Sequence, residues 1–151
     1  MRHWLMKSEP SEVSIDDLAK LPKQTVPWFG VRNYQARNYM RDEMAPGDPV
    51  LFYHSSCPEP GIAGFARVAS KPYPDDTQFE VGGKYFDPKS KRENPRWVHV
   101  DVQFVKKVRL IPLADLRTHP ALADMRILQK GNRLSITPVS PAEWAAIESL
   151  L

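Results

Sequence analysis

Trp28-Phe29-Gly30-Val31-Arg32-Asn33-Tyr34-Gln35-Ala36-Arg37-Asn38-Tyr39-Met40-Arg41-Asp42-Glu43-Met44 interleaves aromatic rings, arginines and side-chain amides behind a single glycine. A core segment has no need of so many donors, and a solvated helix has no use for so many rings. The mixture suits the wall of a pocket that stacks on a flat, polar, anionic ligand. The competing reading is a packed amphipathic helix whose arginines snorkel to water. In either case Asn33 is a suitable cap, Tyr34, Arg37 and Arg41 share one side, and Ala36, Met40 and Met44 form a packing face. Gly30, with no side chain, lets the backbone approach a ligand closely.

Outward from that stretch, two apolar runs turn polar at their ends. His3-Trp4-Leu5-Met6 reads as a central strand, apolar on both faces, leading into Lys7-Ser8-Glu9-Pro10. Pro49-Val50-Leu51-Phe52-Tyr53 does the same and ends in His54-Ser55. Between them Ser14 caps a helix with Ile15, Leu18 and Leu21 as its stripe, stopped by Pro22, and a turn-rich segment runs from Pro22 to Pro27. Pro46-Gly47-Asp48 is a turn.

Gly61 to Ala69 reads as another strand whose small residues permit close backbone approach or a sharp bend. Pro72 to Pro95 is too irregular and too long for a simple hairpin and is expected to be an ordered, partly mobile flap pinned by the rings of Tyr85 and Phe86, or else a disordered lid. Arg96 to Leu110 is expected to be one half-exposed strand. Pro112 starts a short helix and Pro120 to Met125 adds a turn. Gly131-Asn132-Arg133-Leu134-Ser135 turns into a short strand, and Ser140-Pro141-Ala142-Glu143 is a full capping box for a closing helix that presents Trp144, Ile147 and Leu150. The expected class is α+β: one small β-barrel decorated by short α-helices, with residues 1–151 as a single domain.

Composition narrows the function. The chain has 151 residues, 42% hydrophobic and 26% charged, enough for a core of its own. No apolar run approaches the roughly 20 residues of a bilayer span, so no membrane association and a cytoplasmic location are expected. Cys57 is the only cysteine, which excludes an intrachain disulfide. A net charge of +3, from 21 basic and 18 acidic residues, is compatible with nucleic acid without dense duplex-wrapping clusters.

Familiar catalytic signatures are missing from the sequence. There is no phosphate loop, no dinucleotide fingerprint and no zinc helix, so neither a metal nor another cofactor is expected. His54 beside Ser55 suggests hydrolase chemistry, but neighbours on a strand point to opposite faces, and His54 reads better as a pocket or core hydrogen-bond partner. What remains is recognition: Lys7, Ser8, Asn33, His54, Ser55, Arg133 and Ser135 each stand beside apolar framework, with Trp28 or Trp97 available to stack on a base. An enzyme acting on a nucleotide or small metabolite, and a protein-interaction scaffold, stay open as alternatives.

These stretches resemble the EVE domain family, the branch of the PUA-like superfamily that includes the thymocyte nuclear protein type and is related in fold to YTH readers. The resemblance is carried by Trp4-Leu5-Met6-Lys7-Ser8-Glu9-Pro10, Gly30 to Asn38, Phe52-Tyr53-His54-Ser55, Pro60 to Gly64, Tyr85 to Ser90, Pro95-Arg96-Trp97 and Gly131 to Ser135, in order along almost the whole chain. It implies a PUA-like barrel with a concave pocket for a modified base, in DNA as a modified cytosine or in RNA, read without catalysis. The chain itself is expected to act as a monomer. On that likeness Trp28 and Trp97 are aromatic walls, Lys7, Ser8, Asn33 and Ser55 polar selectors, and Arg32 and Arg133 backbone or supporting contacts. Phe29 departs from the small acidic or polar residue of many relatives.

Overall fold

The computed structural model describes residues 1–151. Its centre is β1 (His3–Ser8), which pairs in parallel with β3 (Pro49–His54) and antiparallel with β8 (Ile136–Val139). β4 (Gly61–Val68), β7 (Asp101–Pro112) and β2 (Thr25–Pro27) extend the sheet to six strands, in the order β2-β7-β4-β3-β1-β8. The two runs that turn from apolar to polar are therefore adjacent parallel strands, and Lys7 stands beside Tyr53 and Ser8 beside His54. Their polar ends emerge at one edge of the sheet.

The apolar runs are continuous because both faces of these strands are covered. Trp4, Met6, Val50 and Phe52 pack inward with Ala66 and Val102. Leu5, Leu51 and Tyr53 alternate to the other face and meet Ile62, Leu116 and Ile147. Each such side chain, fully buried, contributes roughly 1.5–3 kcal/mol from removal of its apolar surface from water. Register shifts in β4 curl the sheet into a partly closed, PUA-like barrel. Gly64 permits the curl: a Cβ there would fall 2.7 Å from both the Ile15 side chain and the Lys106 carbonyl.

Short helices decorate this α+β barrel. α1 (Ile15–Lys20) begins at a capping box in which Ser14 Oγ accepts the Asp17 N–H and Asp17 accepts the Ser14 N–H. α2 (Tyr34–Asn38) is capped by Asn33 and runs into a π-helical turn over Tyr39–Glu43, with Ala36, Met40 and Met44 buried as the sequence predicts. α3 (Leu113–Thr118) follows Pro112, and α4 (Pro141–Glu148) opens with the predicted Ser140–Glu143 box.

Two expectations require correction. Thr25–Pro27, inside the turn-rich segment, is an edge strand on β7. Arg96 to Leu110 is not one strand. Val98–His99, here β6, pairs with β5 (Tyr73–Pro74) in a separate ribbon, and the Val100 carbonyl accepts the Trp28 N–H at 2.9 Å. The partners change at Val100, so the side-chain alternation breaks and the polar His99 is buried along with Val100.

Candidate nucleobase-binding site

The polar ends of β1 and β3 form the floor of a cavity of about 450 Å³, within the range of roughly 300–1,000 Å³ of small-ligand sites. Lys7, Ser8, Ser55 and Ser56 come from those strand ends, and Arg133 and Ser135 from the approach to β8. Trp28, Phe29, Gly30 and Arg32 make the facing wall, and Lys84 and Tyr85 of the 72–95 flap make the rim. Val13 and Val26 add apolar lining.

The flap is held by a buried hydrogen-bond hub. Asp75, 1% exposed, accepts from the Gly30 N–H at 2.8 Å, the Thr77 N–H at 2.9 Å and the Arg32 guanidinium at 3.2 Å. Burial pushes its carboxyl up, but the bonds from Thr77, Gly30 and Arg32 outweigh burial and hold it below the usual carboxylate value. Gln78, fully buried, donates to the Asp75 and Trp97 carbonyls and accepts from the Trp97 N–H and Ser90 Oγ. The flap is thus ordered by polar contacts around residues 75–78.

Arg32 completes this hub. Its guanidinium donates to the Tyr85 carbonyl at 3.1 and 2.8 Å and to Thr77 Oγ1 at 3.0 Å, lying 5.5 Å from the Tyr85 ring and 5.4 Å from the Trp97 ring. It pins the rim in place with its charge already matched to Asp75. Outside it, Lys84 bridges to Glu12 at 3.3 Å, joining the flap to the loop after β1.

The structure brings Lys7, Ser8, Trp28, Gly30, Arg32, Ser55, Arg133 and Ser135 to one cavity and leaves three expected residues outside it. Trp97 lies behind Arg32, stacked on Tyr34 at 4.9 Å with its Nε1 donating to Asp87 at 2.7 Å, so the two tryptophans do not line the same cavity. Asn33 spends its Oδ1 on the Ala36 N–H at the start of α2. His54 Nε2 accepts the Ile15 N–H at 3.1 Å, the core hydrogen-bond role open to it in the sequence, and burial lowers its pKa. Gly30, at φ +82°, also meets the flap: a Cβ there would lie 2.7 Å from the Tyr85 ring, so its missing side chain lets that ring approach the backbone.

Within the cavity the groups differ in availability. Ser8 Oγ is committed to the Val13 carbonyl at 2.6 Å. Lys7 is half-buried without an acidic partner, and burial pulls its ammonium below the ordinary value. Trp28 is largely buried, edge-on to Phe52 at 5.7 Å, while Phe29 is 41% exposed and sits edge-on to Tyr85 at 5.8 Å. Tyr85 and Lys84 were not among the expected site residues; Tyr85 stands in a stretch that carries the family resemblance, which was the available signal.

The model of the EVE domain matches residues 2–150. The chain belongs to the EVE domain family. Human thymocyte nuclear protein 1 is 48% identical over 166 residues, covering 98% of this chain and 73% of that protein. Among solved structures, a Pseudomonas putida protein superposes with a TM-score of 0.93 at 47% identity, covering 98% of both chains. Human THYN1 in complex with DNA containing 5-methylcytosine superposes with a TM-score of 0.91 at 47% identity, covering 99% of this chain and 97% of that one. The relatives' names overturn the cytoplasmic expectation: the human, chicken and mouse proteins are all called thymocyte nuclear protein 1. No helix of the chain is long and apolar enough to cross a membrane.

Proposed function

We propose that residues 1–151 act as one non-catalytic domain that binds DNA and receives a modified cytosine, turned out of the helix, in the cavity between Lys7 and Trp28. The observation that carries this reading is the likeness to human THYN1, whose complex contains 5-methylcytosine DNA, together with a cavity of base-accommodating size at the matching fold's strand ends. Extruding a base costs a few kcal/mol, and stacking on an aromatic wall returns roughly 1–3 kcal/mol. Trp28 and the Phe29–Tyr85 pair supply the rings, Val13 and Val26 an apolar surface for a methyl group. Lys7, Ser55 and Arg133 supply donors for the base edge and the sugar-phosphate at the mouth. Turnover is not part of the role: His54 Nε2 is occupied by the Ile15 N–H and cannot serve Ser55 as a base.

Photocrosslinking tests the placement. A duplex carrying 5-iodocytosine at the modified position is expected to crosslink to Trp28, Phe29 or Tyr85, mapped by mass spectrometry. Crosslinks confined to residues outside the cavity overturn it.

A further inference from the structure

A second hollow of about 510 Å³ adjoins the first and shares Lys7, Ser55 and Ser56 with it as a common wall. The two differ in charge. The first has Glu9 and Glu12 among its lining residues, whereas the second is lined by Lys7, Arg117 and Lys130 and by no carboxylate. Neither Arg117 nor Lys130 takes part in any salt bridge of the chain. The Gln129–Asn132 turn lines one side of the hollow, fixed by Asn132, which donates to the Arg126 carbonyl and accepts the Leu134 N–H at 3.0 Å.

A buried polar group points the same way. Tyr53, on β3, is 2% exposed and lines this hollow, yet its hydroxyl has no hydrogen-bond partner in the protein, and it is not sealed from solvent. Burial holds its phenol above the ordinary tyrosine value and outweighs the opposing Arg117 charge, so the hydroxyl stays protonated and available as a donor. A protonated phenol, a guanidinium and two ammonium groups with no acid among them form a donor set for a phosphate.

We propose that the second hollow binds the backbone phosphate adjacent to the base held in the first cavity, through Arg117, Lys130 and the Tyr53 hydroxyl. This assignment rests on the base-reading function above. The shared Lys7–Ser55–Ser56 wall sets how the chain passes from one compartment to the other: base to the mixed-charge side, phosphodiester to the cationic side. Such a contact fixes register and affinity without reading sequence or modification.

The test uses the full chain and two matched duplexes, one with 5-methylcytosine and one with cytosine. In Arg117→Gln and Lys130→Gln, both exposed positions, affinity for both duplexes is expected to fall by the same factor, roughly tenfold. The slope of log K against log salt is expected to flatten by about 0.7–0.9 per contact removed. Tyr53→Phe, which keeps the buried ring, is expected to weaken both duplexes equally with the slope unchanged. A neutral methylphosphonate at the linkage next to the modified base is expected to weaken the wild type by a larger factor than Arg117→Gln, in which only Lys130 and Tyr53 still contact that linkage. Unchanged affinity and slope in the variants overturn the assignment. So does a response of the protein to inorganic phosphate while the neutral linkage leaves DNA affinity as it was. Failure of base reading has a separate signature, equal affinity of the wild type for the two duplexes with the salt slope still responding to Arg117.

Discussion

Gly30 and Tyr85 meet in a contact that only glycine permits: a Cβ at position 30 would lie 2.7 Å from the tyrosine ring, on a backbone with φ +82°. The segment that precedes α2 and the rim of the cavity are therefore fitted to each other directly, 55 residues apart in sequence. Gly30→Ala must displace Tyr85 and strain the backbone, a combined cost of about 2–4 kcal/mol. The melting temperature is expected to fall by about 5–10 °C for a chain of this size, with weaker DNA binding because Tyr85 forms the rim. Scanning calorimetry and titration check both.

Trp97 separates structure from recognition. Packed against Tyr34 and bonded to Asp87, it supports the flap from behind Arg32 and is absent from the cavity wall. Trp97→Ala is expected to destabilise by about 3–5 kcal/mol, as large aromatic truncations in a core do. The ratio of affinities for modified and unmodified DNA, measured below the variant's melting temperature, should stay at the wild-type value. A lost ratio with intact stability would put Trp97 in the site after all.

Stability should fall on mild acidification. Burial holds the pKa of His99 and of His54 below the ordinary imidazole value, so the unfolded chain binds protons that the folded one refuses. Where the unfolded state binds more protons, stability rises with pH. It is therefore complete above about pH 6.5, the unfolded histidine value, and declines below it until the folded values are reached. Asp75 adds a second loss at lower pH: its stabilisation is present above about 3.9 and disappears as pH falls through its depressed folded value. Denaturant midpoints against pH measure the first window, and His99→Gln should flatten part of it.

How much of this was legible in the sequence depended on whether the determinant was local. The caps at Ser14, Asn33 and Ser140, the buried face of Ala36, Met40 and Met44, and β1 as a central strand all follow from spacing within one element. The Thr25–Pro27 strand and the break at Val100 do not, because each depends on which distant segment supplies the hydrogen bonds. The same limit separated Trp28 from Trp97. Both are tryptophans beside polar residues, and only the path of the 72–95 flap, set by Asp75 and Gln78, places Arg32 in front of one and leaves the other against the cavity. Asn33 illustrates the choice a sequence leaves open, a cap or a selector, and the helix took it.

The most direct test is the ratio of dissociation constants for two duplexes that differ by one cytosine 5-methyl group. Burying that methyl against Val13, Val26 and Trp28 is worth about 0.8 kcal/mol, so the methylated duplex should bind about fourfold tighter to the wild type. In Trp28→Ala the ratio should fall towards one while the protein remains folded. Equal affinity of the wild type for the two duplexes would contradict the reading of this cavity as a receptor for the modified base.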